Sequence, residues 1–403
     1  MPGTTAPPRL DSDVIQDPYS FYRRLRAQTP VREVVLPRGL KVWVVTRYAD
    51  VREALANPAL HKDLRQAHAL FERHSTTGGR SAFGQEIAAH MLNSDPPDHT
   101  RLRRLVATAF TMRRVELLRP RIEEITEDLL TGFAGRDEVD LVDDFAFPLP
   151  VTVICELLGV PHADRDDFRA WSTTLLSAGE TEQLAAASRD MALYLQRLIA
   201  AKRADPADDM LSALVHTHDD GGDRLTEPEL VSMAFLLLVA GHETTVNLIA
   251  NGVLALLLHP DQLAALRGDP ALLPGAVEEF LRYDGPIVHA TLRYTVAPVE
   301  IGGVTVPADE FVMVSLSSAN RDDDRFADAE HLDITRAAGG HVAFGHGIHF
   351  CLGAPLARLE GQLAIGRLID RFPGLALAVD PDELRWRNST LLRGLESLPV
   401  RLA

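Results

Sequence analysis

The residues best placed to do chemistry lie near the C-terminal end, in Phe344-Gly345-His346-Gly347-Ile348-His349-Phe350-Cys351-Leu352-Gly353. Three glycines let such a loop approach a flat ligand closely. The helical pattern APLARLEGQLAIGRLI follows at once, so Cys351 falls at a helix N-terminus, where the dipole and free N–H groups favour a thiolate. A thiolate there is a ready metal ligand. Two other readings of the same residues stay open: a core cysteine after a Gly-rich turn, and a zinc site over His346, His349 and Cys351. The zinc site lacks a CxxC or HxxxH pair to complete it.

Three further sets stand out. Ala240-Gly241-His242-Glu243-Thr244-Thr245 interrupts an otherwise apolar run with polar groups. Glu279 and Arg282, three apart, can pair on one helix face. In Ser94-Asp95-Pro96-Pro97-Asp98-His99-Thr100-Arg101-Leu102-Arg103-Arg104, prolines precede a helix on which His99 and Arg103 share a face.

These residues need elements to hold them. The polar interruption sits in the middle of the longest helical pattern, which opens at Thr226-Glu227-Pro228-Glu229 with a capping box and runs to His259-Pro260. About 33 residues at 1.5 Å each make a rod of roughly 50 Å, which must cross the core. Shorter helical patterns fill most of the rest, as in RLRRLVATAF and VTVICELLGVP, where Cys155 reads as a core residue. Val31 to Thr46 reads as two strands joined at Pro37-Arg38-Gly39, and Pro298 to Leu316 is a second strand-rich stretch. The expectation is a mainly α chain with minor β-sheets. Residues 74–84 and 217–224 read as loops with no change of composition around them, so 1–403 is expected to be a single domain, with residues 1–10 as a flexible tail.

Composition narrows the function. The chain has 403 residues, 46% hydrophobic and 24% charged, which excludes disorder and fibrous repeats. Two cysteines are too few for a secreted disulfide framework and point to a reducing cytoplasm. The net charge of −16 argues against a nucleic-acid surface. The N-terminus has no export pattern, and the apolar run Val231 to Ala240 is short against the roughly 20 residues of a membrane span, so no membrane is expected. Lys41, Lys62 and Lys202 are the only lysines, a bias attributable to base composition and assigned no function.

Taken together the motifs resemble the cytochrome P450 family. Phe344, Gly347, Cys351 and Gly353 match its heme-binding loop, and the resemblance runs from the N-terminal hairpin to Thr390-Leu391-Leu392-Arg393-Gly394-Leu395. It implies a helical triangular prism around heme b, with Cys351 as the axial thiolate ligand of the iron. It also implies that Arg336 closes the Glu279–Arg282 pair into a structural network. Ala240 and Gly241 would leave room for dioxygen, a bulge could re-aim carbonyls there, and Thr244 with Glu243 would relay protons. The bland reading of those hydroxyls is bonding to carbonyls four residues back. His99, Arg103, Arg293 and His349 match heme-propionate contacts, and Val239, Ala240, Ile287, Val288 and Leu391 match substrate positions, with entry over residues 74–92.

The implied function is a heme-thiolate monooxygenase, similar to actinomycete enzymes that hydroxylate macrolides and related polyketides. It would use O₂ and electrons from NAD(P)H through a ferredoxin reductase and a ferredoxin, and act as a cytoplasmic monomer on a bulky, mainly apolar small molecule. Seven arginines against two acids between Asp98 and Arg121 form a cationic patch on an anionic chain, suited to an acidic electron donor; scattered solvated charge is the alternative. Desaturation, coupling or peroxide-driven oxygenation within the same family, and a heme-thiolate binding or gas-sensing protein without turnover, are the rival functions.

Overall fold

The structure, a computed structural model, describes residues 7–63, 65–75, 85–176, 181–218 and 222–402. Five helices position the site: α1 (Asp98–Ala109), α2 (Pro148–Leu158), α3 (Glu227–Leu258), α4 (Leu273–Asp284) and α5 (Ala354–Arg371). The 32-residue α3 starts with the expected capping box, in which Glu229 accepts from the Thr226 N–H at 2.8 Å. Apolar side chains on nearly every face let it pack at once on α2, α4, α5 and Thr181–Ala204, and most of its residues are buried. By length and composition alone α3 is long and apolar enough to cross a membrane, which extends the ten-residue run seen in the sequence. However, 78% of its most apolar window is buried within the protein.

A five-stranded sheet covers one side. Its strands are β1 (Val31–Val35), β2 (Lys41–Val45), β3 (Leu60–His61), β4 (Arg293–Thr295) and β5 (Phe311–Val314), in the order β1-β2-β5-β4-β3. The β1–β2 hairpin turns through Gly39 at φ 80°. β2 pairs parallel with β5, while β5–β4 and β4–β3 are antiparallel. The strand-rich stretch after Pro298 resolves into β5 and a separate pair, Val299–Ile301 with Val304–Val306.

The sequence expectation for the N-terminal end needs correction. Pro8 to Leu10 add to the edge of β1, with Leu10 N–H donating to Val35 O and Val35 N–H to Pro8 O, each at 2.9 Å, and Leu10 is buried. An apolar side chain at position 10 anchors this segment. Residues 1–6, 76–84 and 219–221 lie outside the described residues, and with them parts of the expected tail, loops and entry segment.

Candidate active site

The cysteine loop is shaped by its glycines. Gly345 and Gly347 adopt φ of 74° and 75°, and a Cβ on Gly347 would stand 3.2 Å from Leu55 O in the helix Tyr48–Ala56. Only glycine meets both demands there. Cys351 N–H donates to Phe344 O at 2.9 Å, closing the loop, and the thiol is accessible at the start of α5. Although accessible, it is crowded enough that desolvation pushes its pKa up, while the N–H groups of Gly353 and Ala354 and the Arg103 and Arg358 guanidiniums pull it down. Among the described residues no three His, Cys, Asp or Glu side chains form a metal cluster, so the zinc arrangement over His346, His349 and Cys351 is not formed.

Two adjacent carboxylates of α4 brace this loop. Glu279 accepts from Arg282 Nε and Nη2 at 2.7 Å each, both side chains being fully buried, and from Arg336 Nε at 3.3 Å. Arg282 spends its remaining donors on the carbonyls of Asn320, Ala329 and His331. Asn320 Oδ1 in turn accepts from Val342 N–H at 2.7 Å, at the entrance to the cysteine loop. Glu278 takes Arg358 of α5 at 2.6 and 2.9 Å and His341 at 3.1 Å. Its pKa, raised by burial, is brought down to about 2 by those two partners. The Arg358 guanidinium also lies 4.6 Å over the Phe344 ring.

At the centre of α3, Ala240 is exposed and Gly241 and Thr244 are half-buried, on a helix otherwise closed off by its neighbours. The helix runs through without the bulge the resemblance suggested. Instead Thr244 and Thr245 hydroxyls donate to the carbonyls of Ala240 and Gly241, at 2.8 and 3.3 Å, so the four-back bonding is present. Gly241 has a packing reason, since a Cβ would come within 2.8 Å of Ile154 on α2. Glu243 is buried, with Oε2 accepting from Arg387 at 3.0 Å and Oε1 3.6 Å from His242 Nε2. Burial opposes its ionisation, but His242 and Arg387 outweigh it and lower its pKa.

A family model described as Cytochrome P450 matches residues 167–385. Cytochrome P450 107B1 of Saccharopolyspora erythraea is 56% identical over 97% of this chain and 96% of its own. Cytochrome P450 monooxygenase PikC of Streptomyces venezuelae is 51% identical over 99% and 96%. The tirandamycin C-bound P450 monooxygenase TamI superposes with a TM-score of 0.92 at 54% identity, over 98% of this chain and 100% of that one. The chain belongs to the cytochrome P450 family. It is a heme-thiolate monooxygenase that uses O₂.

The residues present fit the P450 cofactor. His99 and Arg293 are 2% and 3% exposed, yet both His99 ring nitrogens and Arg293 Nε have no hydrogen-bond partner. The His349 ring sits 4.2 Å from that of His99, and Arg103 reaches Phe350 O at 2.7 Å. Burial brings the pKa of His99 to about 4, of His349 to about 2 and of Arg293 to about 10. Buried donors without acceptors are costly, and the two heme propionates are acceptors of the right charge.

Ile287 and Leu391 are half-buried and bracket the bond from Val288 N–H to Leu391 O at 2.9 Å. Val239 and Val288 are buried, and Val288 packs with Tyr22, Tyr294 and Met313 under the sheet. The arginine patch is less free than its count suggested. Arg101 pairs with Glu229 and Asp223, Arg119 with Glu116, and Arg121 with Glu124 and Glu156. Cys155 is a core residue, fully buried, its pKa pushed up to about 12 by burial. Sequence reasoning missed Glu278, Arg387, Lys62 and Glu360, none of which carries a local spacing signal.

Proposed function

We propose that this P450 hydroxylates or epoxidises a bulky, mainly apolar polyketide- or macrolide-like molecule. PikC, a 6-deoxyerythronolide B hydroxylase 45% identical to this chain, and TamI with bound tirandamycin C support that class. The observation that carries the assignment to this chain is an accessible Cys351 at the start of α5 together with the buried His99 ring nitrogens and Arg293 Nε, which have no hydrogen-bond partner among the described residues.

When bound, the heme supplies O₂ binding and the oxidising power for attack on a C–H or C=C bond. Cys351 would ligate the iron, with the Gly353 and Ala354 N–H groups steadying the thiolate. Phe344 and Gly353 would shape its surroundings, and His99, Arg103, Arg293 and His349 would neutralise the propionates. Val239, Ala240, Ile287, Val288 and Leu391 would touch substrate, with Gly241 allowing α2 to approach. The Thr244 hydroxyl can donate at Oγ1 from an accessible position, and the ionised Glu243, held by Arg387, can accept and return a proton. That pair speaks for turnover over gas sensing.

Electrons would come from NAD(P)H through a ferredoxin reductase and a ferredoxin. The face beside Cys351 suits such a partner: Met112, Leu117, Ile348 and Phe350 are exposed there near Arg113 and Arg114. We read the chain as a single domain over 1–403 that works as a monomer in the cytoplasm. The test is the absorption of the reduced protein under carbon monoxide. The band of thiolate-ligated heme should form in the wild type and vanish in Cys351→Ala; no heme uptake by the wild type would overturn the reading. Product mass with a ferredoxin system and a panel of macrolides then tests the substrate class.

A further inference from the structure

Lys62 is an unusual residue to find inside this protein. It is one of three lysines, and it is 3% exposed. β3 pairs antiparallel with β4 in the register Leu60↔Thr295 and His61↔Tyr294, so the next position along, Lys62, falls across from Arg293. The chain is held there through its backbone: the Lys62 N–H donates to both Asp95 oxygens at 3.1 and 3.0 Å, and the Asp63 N–H to Oδ2 at 3.0 Å. Asp95 thus fixes the main chain, and among the described residues no carboxylate pairs with the Lys62 ammonium.

The surroundings repel a positive charge. Burial and the Arg293 guanidinium lower the Lys62 pKa well below its ordinary value, with only Asp95 opposing. Burial, with the Lys62 charge behind it, likewise lowers the pKa of His90. His90 Nδ1, both nitrogens of His99 and Arg293 Nε are buried without partners among the described residues. A buried cation is retained only where an anion meets it. Lys62, Arg103 and Arg293 stand against Asp95, so two further carboxylates would balance them with Lys62 in its charged form.

We propose that Lys62 is a fifth propionate-binding group, whose ammonium supplies the charge that Arg103 and Arg293 leave uncompensated when both heme carboxylates are ionised. The proposal rests on the heme site described above. It assigns Lys62 opposite duties in the two states of the protein. Without heme it is a buried amine whose charged form burial and Arg293 disfavour, at a cost to the fold, and with heme it clamps the cofactor.

The test compares wild type, Lys62→Met, Lys62→Gln, Lys62→Arg and the surface control Lys41→Met, each loaded with hemin or with hemin dimethyl ester, which lacks ionisable carboxyls. Transfer of the heme to apomyoglobin and thermal melting of the heme-free protein are measured. Loss of a charged hydrogen bond of about 1.5–3 kcal/mol corresponds to transfer roughly tenfold or more faster for Met and Gln. Arg should restore slow transfer and Lys41→Met leave it unchanged. With the dimethyl ester the difference between wild type and the Met and Gln variants should disappear, and their heme-free forms should melt no lower than wild type. Equal hemin transfer in wild type and both variants, or a difference that persists with the ester, would overturn the role of Lys62 while leaving the heme site intact. Failure of wild type to take up hemin would overturn the heme site itself.

Discussion

Arg387 of the C-terminal segment donates from Nη1 to Glu243 Oε2 at 3.0 Å, joining residues 144 apart at the middle of α3. With His242 beside it, the contact keeps a buried carboxylate ionised that burial alone would protonate. Because the folded Glu243 pKa is depressed, its stabilising contribution is present at neutral pH and is lost as pH falls through the folded value. Arg387→Met should therefore lower the melting temperature most near neutrality, with the gap to wild type closing in acid. The acid limb of product formation should shift to higher pH. Thermal melts and rate–pH profiles of the two proteins check both points, and parallel melting curves at every pH would refute the coupling.

Thr244→Ala removes a hydroxyl that donates to Ala240 O without holding the helix together. Stability should change by no more than about 0.5–1 kcal/mol. Product formed per NAD(P)H consumed should drop roughly tenfold or more, with hydrogen peroxide released in its place. Unchanged coupling would take Thr244 out of the proton route.

Glu279 and Arg282 are fully buried partners. Glu279→Gln strands the Arg282 charge and should cost about 3–5 kcal/mol in urea unfolding. The double change Glu279→Leu with Arg282→Met should cost less than the two single losses added together. Additive losses would show that the two side chains act separately.

Glu360 on α5 is buried with Oε2 unpartnered, and burial pushes its pKa up to about 8 against the pull of the Thr245 hydroxyl. A carboxyl whose folded pKa is raised costs progressively more stability as pH climbs from its unfolded value towards 8. Glu360→Gln should flatten the fall in melting temperature between roughly pH 5 and pH 8. An identical pH slope in both proteins would mean the carboxyl is not protonated in the fold.

What could be read from the sequence was local. The Cys351 loop, the capping box of α3 and the Glu279–Arg282 pair each lie within about ten residues, and each forms as its spacing implies. The Glu243–Arg387 contact and the Arg101–Glu229 pair, 144 and 128 residues apart, depend on which helix crosses which, and no periodicity carries that. Lys62 escaped for the same reason: its meaning comes from a strand register set more than half a chain away. A count of charges in the arginine patch likewise omits Glu229 and Glu156, which other helices bring to Arg101 and Arg121.

The parallel pairing of β2 with β5 has a consequence for biosynthesis. Ser318 Oγ donates to Thr46 O at 2.9 Å, 272 residues away, and clasps the two strands just beyond their pairing. At roughly 5–20 residues per second the hairpin waits on the order of tens of seconds on the ribosome for its neighbour. Lys62 and Arg293 meet only as that sheet closes, so the newborn chain has no pocket for hemin until its last quarter has been made. Nascent chains arrested before Phe311 should leave added hemin unbound, whereas chains released at full length should capture it.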